Sequence, residues 1–324
     1  MATPMMSNLE GIPFVEVINS EGLSYASFRQ TLKPDYFKTW LHIIFGLICL
    51  AALLSLFIII ENKIPGWFLL TIPAFSILTG FTIAFINLFI HEAGHYYLHP
   101  DKKTNDLLAN IFLCSWTGLH VKVYRKIHWL HHQHLATDID PENSYFNVLS
   151  GKFIFETFSG IHVLRIMVNK NKKQVLEKDL RKRSAIMLLT GLIINSAVLF
   201  VAIWLNNYQL AIVWILAMLV FFPFFATIRQ LIEHRDEFAA SDKSFYNVPK
   251  RKISRLFTNS LLSKLLGPAG FNKHMIHHWD PVLPFTALAK VEAFLGGCEK
   301  TKKIIEMSRT TYPEAFKKLW LTRK

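Results

Sequence analysis

What this 324-residue chain lacks narrows its class before any motif is read. Its three cysteines, Cys49, Cys114 and Cys298, are odd in number and far apart. That excludes a disulfide framework and a CxxC thiolate zinc site. With 14 glycines and 13 prolines it is too poor in both for a fibrous or low-complexity chain. Charge is scarce: 18% of residues are Asp, Glu, Lys or Arg, against about 25% in ordinary soluble proteins. At 52% hydrophobic residues the chain is too apolar for disorder. Acidic residues are the minority sign, and the net charge is +13. A basic chain can address nucleic acid or a membrane surface. Several long stretches hold no charge at all, so the basic residues crowd into the rest. That pattern points to an integral membrane protein with basic flanks and to no nucleic-acid partner.

A helix needs roughly 20 apolar residues to cross the hydrocarbon core. Four uncharged stretches qualify: Trp40–Ile60, Gly66–Ile90, Ala185–Leu205 and Leu210–Ile228, the last containing Pro223. The first lies too deep in the chain and is too long for a signal peptide. Short connections, Glu61–Pro65 and Asn206–Gln209, group the spans into two hairpins. Of the 36 Lys and Arg residues, all but Lys63 fall on one side of such a four-span arrangement. The positive-inside rule makes that side cytosolic, with both termini and the central segment on it. Within that segment, Asp106–His120 and Phe153–Val168 are apolar but too short to span, and read as interfacial or packed helices. The run Lys170–Arg183 reads as a solvated linker and cytosolic anchor. The expected fold is all-α: four transmembrane helices in two hairpins plus a cytosolic helical cap. The expected division is a cytosolic segment at 1–39, a membrane domain at 40–300 and a cytosolic tail at 301–324.

Nine of the 14 histidines fall in four tight clusters: His91 and His95; His128, His131 and His132; His234; and His274, His277 and His278. An HxxxH pair alone means little. An HxxHH triplet arises from this composition in roughly one chain in forty, and here it occurs twice. On a helix, positions i, i+3 and i+4 share one face, so each triplet converges. Neutral imidazoles ligate iron, zinc, copper or nickel. Nine exceed what one ion can take, and two ions of four or five ligands each fit the count. All four clusters fall on the cytosolic side. His42, His99, His120, His134 and His162 read as packed or hydrogen-bonded histidines, with His134, two residues past a cluster, also a candidate partner of the ligands.

The set of HxxxH, HxxHH, a single His after the last span and a final HxxHH resembles the membrane fatty acid desaturase superfamily. The strings NDLLANIF, TDIDPE, RQLIEHRDE and FNKHMIHHWDPVLPF around the boxes also look like it. The resemblance covers roughly residues 40–300 and implies two non-haem irons held by His91, His95, His128, His131, His132, His234, His274, His277 and His278. Some members hold a metal-bound water through an amide one turn before the single histidine, where Gln230 stands here. The implied reaction is oxygen-dependent desaturation of a fatty acyl chain, with O2 as co-substrate. Electrons would come from an external donor of ferredoxin or cytochrome b5 type, docked on the basic cytosolic face. The HPGG signature of a fused cytochrome b5 domain is missing, His99-Pro100 being followed by Asp-Lys. The implied location is a bacterial inner membrane or the endoplasmic reticulum.

Three other readings stay open. The same ligand set serves hydroxylases and acetylenases. His91-Glu92-Ala93-Gly94-His95 is also HExxH, the signature of a zinc protease with Glu as general base. That reading leaves seven histidines unused and lacks the NPDG or LDG context of intramembrane proteases. A metal carrier would need ionisable groups inside the spans, which hold only His42. Glu92 and Glu233 adjoin ligands and are candidate partners for imidazole N–H groups, a surface or structural role being the alternative. Asp138 and Asp140 read as a turn or helix cap as readily as functional groups.

Overall fold

A computed structural model of the chain describes Leu9 and residues 12–137, 139–162, 165, 177–235 and 254–321. Asp138, residues 170–176 of the basic run and the end of RQLIEHRDE lie outside the described residues. Among the described residues the regular structure is helical apart from one two-residue parallel strand pair, β1 (Leu256–Phe257) with β2 (Arg309–Thr310), and an isolated bridge between Ile18 and Ser24.

Four helical stretches are long and apolar enough to cross a membrane: Tyr36–Lys63, Phe68–Gly94, Lys178–Trp204 and Tyr208–His234. They are longer than the uncharged runs. Helix α2 (Tyr36–Lys63) takes in Lys38 at its start and Glu61 near its end, and α8 (Lys178–Trp204) starts seven residues before the apolar run. The second span comprises α3 (Phe68–Asn87) and α4 (Phe89–Gly94). The fourth comprises α9 (Tyr208–Leu216), a π-turn at Ala217–Phe221 and α10 (Phe222–His234). Counting uncharged residues finds only the part of a helix that lipid can cover. Backbone hydrogen bonding carries each helix on into polar sequence. The π-turn stands immediately before Pro223, whose ring would clash with a carbonyl one turn back in a regular helix. Gly80 of α3 faces this turn, where an added Cβ would lie 3.0 Å from Phe222 N.

The expected helix over Asp106–His120 is divided instead. Helix α5 (Lys102–Ala109), capped by the Asp101 side chain on Thr104 N at 2.8 Å, passes into a π-turn at Asn110–Cys114. It ends in turns before Gly118, whose φ is +70°. Helix α7 (Gly151–Phe158) ends just before Gly160, at φ +76°, and residues 163–164 and 166–168 of the expected Phe153–Val168 stretch lie outside the described residues.

The chain separates into two compact units that interleave along the sequence. One comprises Tyr36–Ile127 and Gly151–Ile228. In it α2 packs on α3 and α3 on α9, around Phe57, Phe75, Ala202, Leu210 and Val213. Phe45, Leu69, Phe200 and Trp204 stay exposed, the apolar surface expected of lipid-facing helices. The other unit comprises Met1–Asp35, His128–Ser150 and Arg229–Lys324. Its core joins Leu9, Val17 and Tyr25 to Met275, Ile276, Val291 and Leu295 of α12 (His274–Trp279) and α13 (Leu288–Gly296). Ile304 and Ile305 of α14 (Glu299–Ser308) join the same core. Tyr312, at the start of α15 (Tyr312–Leu321), stacks on Phe257 at 3.8 Å. Residues 301–321 are therefore folded into this unit.

Candidate metal centre

Helix α6 (Val121–His134) presents His128, His131 and His132 along one face. The last box lies on α12, entered through a 3-10 turn at Phe271–Lys273 after Gly270, whose φ is +78°. Met275 and Ile276 are fully buried in the core cluster, which leaves His274, His277 and His278 on the opposite face. His234 closes α10, where Leu231 is fully buried.

These histidines gather in two groups. In the first, His132 Nε2 lies 3.0 Å from His128 Nε2 and 3.0 Å from His277 Nε2. In the second, His274 Nε2 lies 2.8 Å from His234 Nε2 and 3.1 Å from His278 Nε2. His131 joins the second group, its ring centroid 5.0 Å from His234 and 5.2 Å from His278. One ligand atom from each of His131, His234 and His278 falls within 4.8 Å of the others. In the unit that holds α2, α3 and α4, His91 and His95 stand one turn apart with ring centroids 4.8 Å apart.

Carboxylates hold the far side of three rings. His131 Nδ1 lies 2.9 and 3.0 Å from the two Asp140 oxygens. Asp140 also accepts from the Tyr145 hydroxyl, and from Glu142 N at 2.8 Å. His128 Nδ1 lies 3.2 Å from Glu142 Oε1, and His91 Nδ1 3.0 Å from Glu92 Oε1. A carboxylate on Nδ1 keeps the proton there and leaves Nε2 with a lone pair.

That arrangement fits a metal. His132 Nε2 and His274 Nε2 each face two other Nε2 atoms. A single ring nitrogen, carrying one proton or one lone pair, cannot satisfy both by hydrogen bonding. A cation among converging lone pairs satisfies all of them. Burial, together with His132, His234 and the other nearby rings, holds His278 well below the ordinary imidazole range and keeps it in the neutral, ligating form. At His131 burial also opposes charge, but Glu142 and Asp140 outweigh it and raise its pKa. An all-imidazole donor set suits iron, zinc or copper, and carboxylates behind the rings raise their basicity.

The remaining candidates fall in different places. Gln230 accepts from the Ser144 hydroxyl and donates to Glu142 Oε2 at 3.1 Å, so its amide reaches His128 through Glu142. Glu233 pairs with Arg229 at 2.6 Å and accepts from Tyr312 at 2.9 Å. It binds this ion pair and phenol instead of an imidazole. His134 is half-buried at the end of α6, where its carbonyl accepts from Thr137 Oγ1 at 2.7 Å. Sequence reading missed Glu142 and Tyr145 and left Asp140 between roles. The signal for the two carboxylates was the acidic string at 138–142, four to eight residues past the end of α6 at His134.

A family model described as fatty acid desaturase matches residues 65–303. Comparison with curated proteins found no match.

Proposed function

This chain belongs to the fatty acid desaturase family, and we propose that it is an oxygen-dependent acyl desaturase whose histidines hold two irons. On this reading His128, His132 and His277 are ligands of one iron, His131, His234, His274 and His278 hold the other, and His91 and His95 are further ligands. The observation that carries it is the convergence of Nε2 lone pairs in two groups, with carboxylates behind the rings. Two irons held by these histidines would supply, with dioxygen and two external electrons, the oxidising power needed to take hydrogen from an unactivated methylene, chemistry that ordinary side chains cannot perform.

The chain's own residues orient and protect that centre. Asp140 fixes the tautomer of His131 and is itself held by Tyr145 and the Glu142 amide. Glu142 orients His128 and is in turn tied by Gln230. We read the four apolar helices as two hairpins with the histidine groups in a cytosolic cap and both termini cytosolic, the membrane domain being residues 40–300. A fatty acyl chain enters from the lipid side. A separate donor of ferredoxin or cytochrome b5 type reduces the metals from the cytosol, where basic surface charge would steer an acidic partner.

Glu92 argues against the protease reading. A general base must face a metal-bound water, whereas its carboxylate lies 3.0 Å from His91 Nδ1, behind the ring. A hydroxylase or acetylenase of the same family remains the second reading, because the ligand set is shared. Mass spectrometry of lipids from expressing cells fed a fully deuterated saturated fatty acid tests the proposal. A product lacking two deuterons and carrying a double bond is expected. A product gaining one oxygen would move the chain to the hydroxylases.

A further inference from the structure

Helix α4, which carries His91 and is followed directly by His95 as its C-cap, ends in an unusual way. Tyr96 N bonds Ala93 O at 3.2 Å and Tyr97 N bonds Glu92 O at 2.9 Å, the paired closure of a Schellman turn. That turn places Tyr96 in the left-handed region, at φ +66°. Glycine is the usual occupant there, because a side chain meets the following carbonyl. Something else must therefore keep this turn closed on a tyrosine.

Arg125 supplies it. Its guanidinium lies 3.7 Å from the Tyr96 ring centroid. Its Nε donates to Gly94 O at 2.8 Å and its Nη2 to Ala93 O at 3.0 Å, two carbonyls at the end of α4. The same fork grips Asp106, with Nη2 2.5 Å from Oδ1 and Nη1 3.3 Å from Oδ2. Both side chains are 11% exposed, so the pair is largely out of water. Asn105 completes the frame: its amide donates to Ala93 O at 3.0 Å and its oxygen accepts from Leu98 N at 3.0 Å. Gly94 allows the approach, since a Cβ there would stand 3.2 Å from the Tyr124 ring.

We propose that Arg125, held by Asp106, is a positioning residue that clamps the end of α4 and fixes His91 and His95 for their metal. The inference rests on the two-iron reading and gives the ND of NDLLANIF a task within it. A planar five-donor fork is required, because it must reach two carbonyls, a carboxylate and a ring face together. Lysine can meet only part of this.

The test uses the full-length protein in detergent and has two readouts. The first is independent of metal: hydrogen exchange in metal-free protein, compared between wild type and Arg125→Met. Exchange at Tyr96–Leu98 is expected to rise about ten-fold or more while the amides of α12 keep their protection. Unchanged exchange at Tyr96–Leu98 would overturn the clamp whatever the metal content. The second is iron per chain and its Mössbauer spectrum. Arg125→Met is expected to lose the iron bound through His91 and His95 and keep the other, with Arg125→Lys restoring part of the lost signal. Retention of both irons overturns the proposal. If Arg125→Met unfolds, Asp106→Asn, which preserves volume, takes its place. Equal loss of the two irons in that variant, or in Arg125→Met, also overturns it. Wild-type protein with no iron pair would count against the two-iron reading and leave the exchange result to decide the clamp.

Discussion

Nε2 of His132 lies 3.0 Å from Nε2 of His277, a residue 145 positions away in sequence. The same His132 nitrogen lies 3.0 Å from His128 Nε2. One ring nitrogen, with a single proton or lone pair, cannot hydrogen-bond to both, whereas a cation among the nitrogens would satisfy all three. Metal removal should therefore loosen the unit that carries both triplets. Iron at a hundred-fold excess over its dissociation constant stabilises the folded state by about 2.7 kcal/mol. Chelation should lower the melting temperature of the detergent-purified protein, and added ferrous iron should restore it. Identical melting with and without chelator would show that the histidines pair by themselves.

Asp140 is nearly inaccessible to solvent and accepts from His131, Tyr145 and the Glu142 amide. Asp140→Asn should weaken iron binding about 10- to 100-fold, the usual consequence of removing the partner behind a ligating imidazole. Tyr145→Phe removes one of the three donors and should cost less. Iron titration of the metal-free variants orders the two effects, and a larger loss in Tyr145→Phe would contradict the assignment.

Arg29 makes a two-point pair with Asp280, at 2.5 and 3.1 Å, and Tyr25 donates to the same carboxylate at 2.9 Å. Asp280 directly follows α12, so this contact ties the N-terminal segment to the last histidine box. Arg29→Ala leaves a buried carboxylate short of partners and should destabilise by about 1–3 kcal/mol. The lower half of that range is expected, because Arg29 is 35% exposed and partly screened. Thermal melting of the variant measures it.

Among the described residues, Tyr25, Tyr145 and Tyr312 should resist ionisation in the folded protein. Burial raises the pKa of Tyr25, Tyr145 and Tyr312, and Asp280, Asp140 and Glu233 respectively add to the rise. A folded pKa above the unfolded one gives stability that is complete below about pH 10 and lost as pH climbs past it. Tyrosinate absorbance should therefore appear in two stages, the second coinciding with unfolding. A single smooth titration with no structural change would refute the burial of these phenols.

The histidine boxes were legible because spacing alone fixes which residues share a helical face. His274, His277 and His278 face together because Met275 and Ile276 bury on the other side, a pattern visible in the sequence. The spans were legible from missing charge, but their ends were not: Lys38, Glu61 and Lys178 lie inside helices because hydrogen bonding ignores side-chain charge. Partners set by tertiary folding were hidden. Glu233 adjoins His234 in sequence yet turns to Arg229 and Tyr312, the latter 79 residues away. Glu142 and Asp140 reach His128 and His131 only because the chain folds back after α6, a reversal that no periodicity reports.

On the proposed function, nine histidines hold two irons. Elemental analysis of the purified protein, beside His277→Ala, tests it most directly. About two irons per chain in the wild type, with iron lost in the variant, is the predicted result. About one zinc per chain, unaffected by His277→Ala, would contradict the account and place the chemistry at His91, Glu92 and His95.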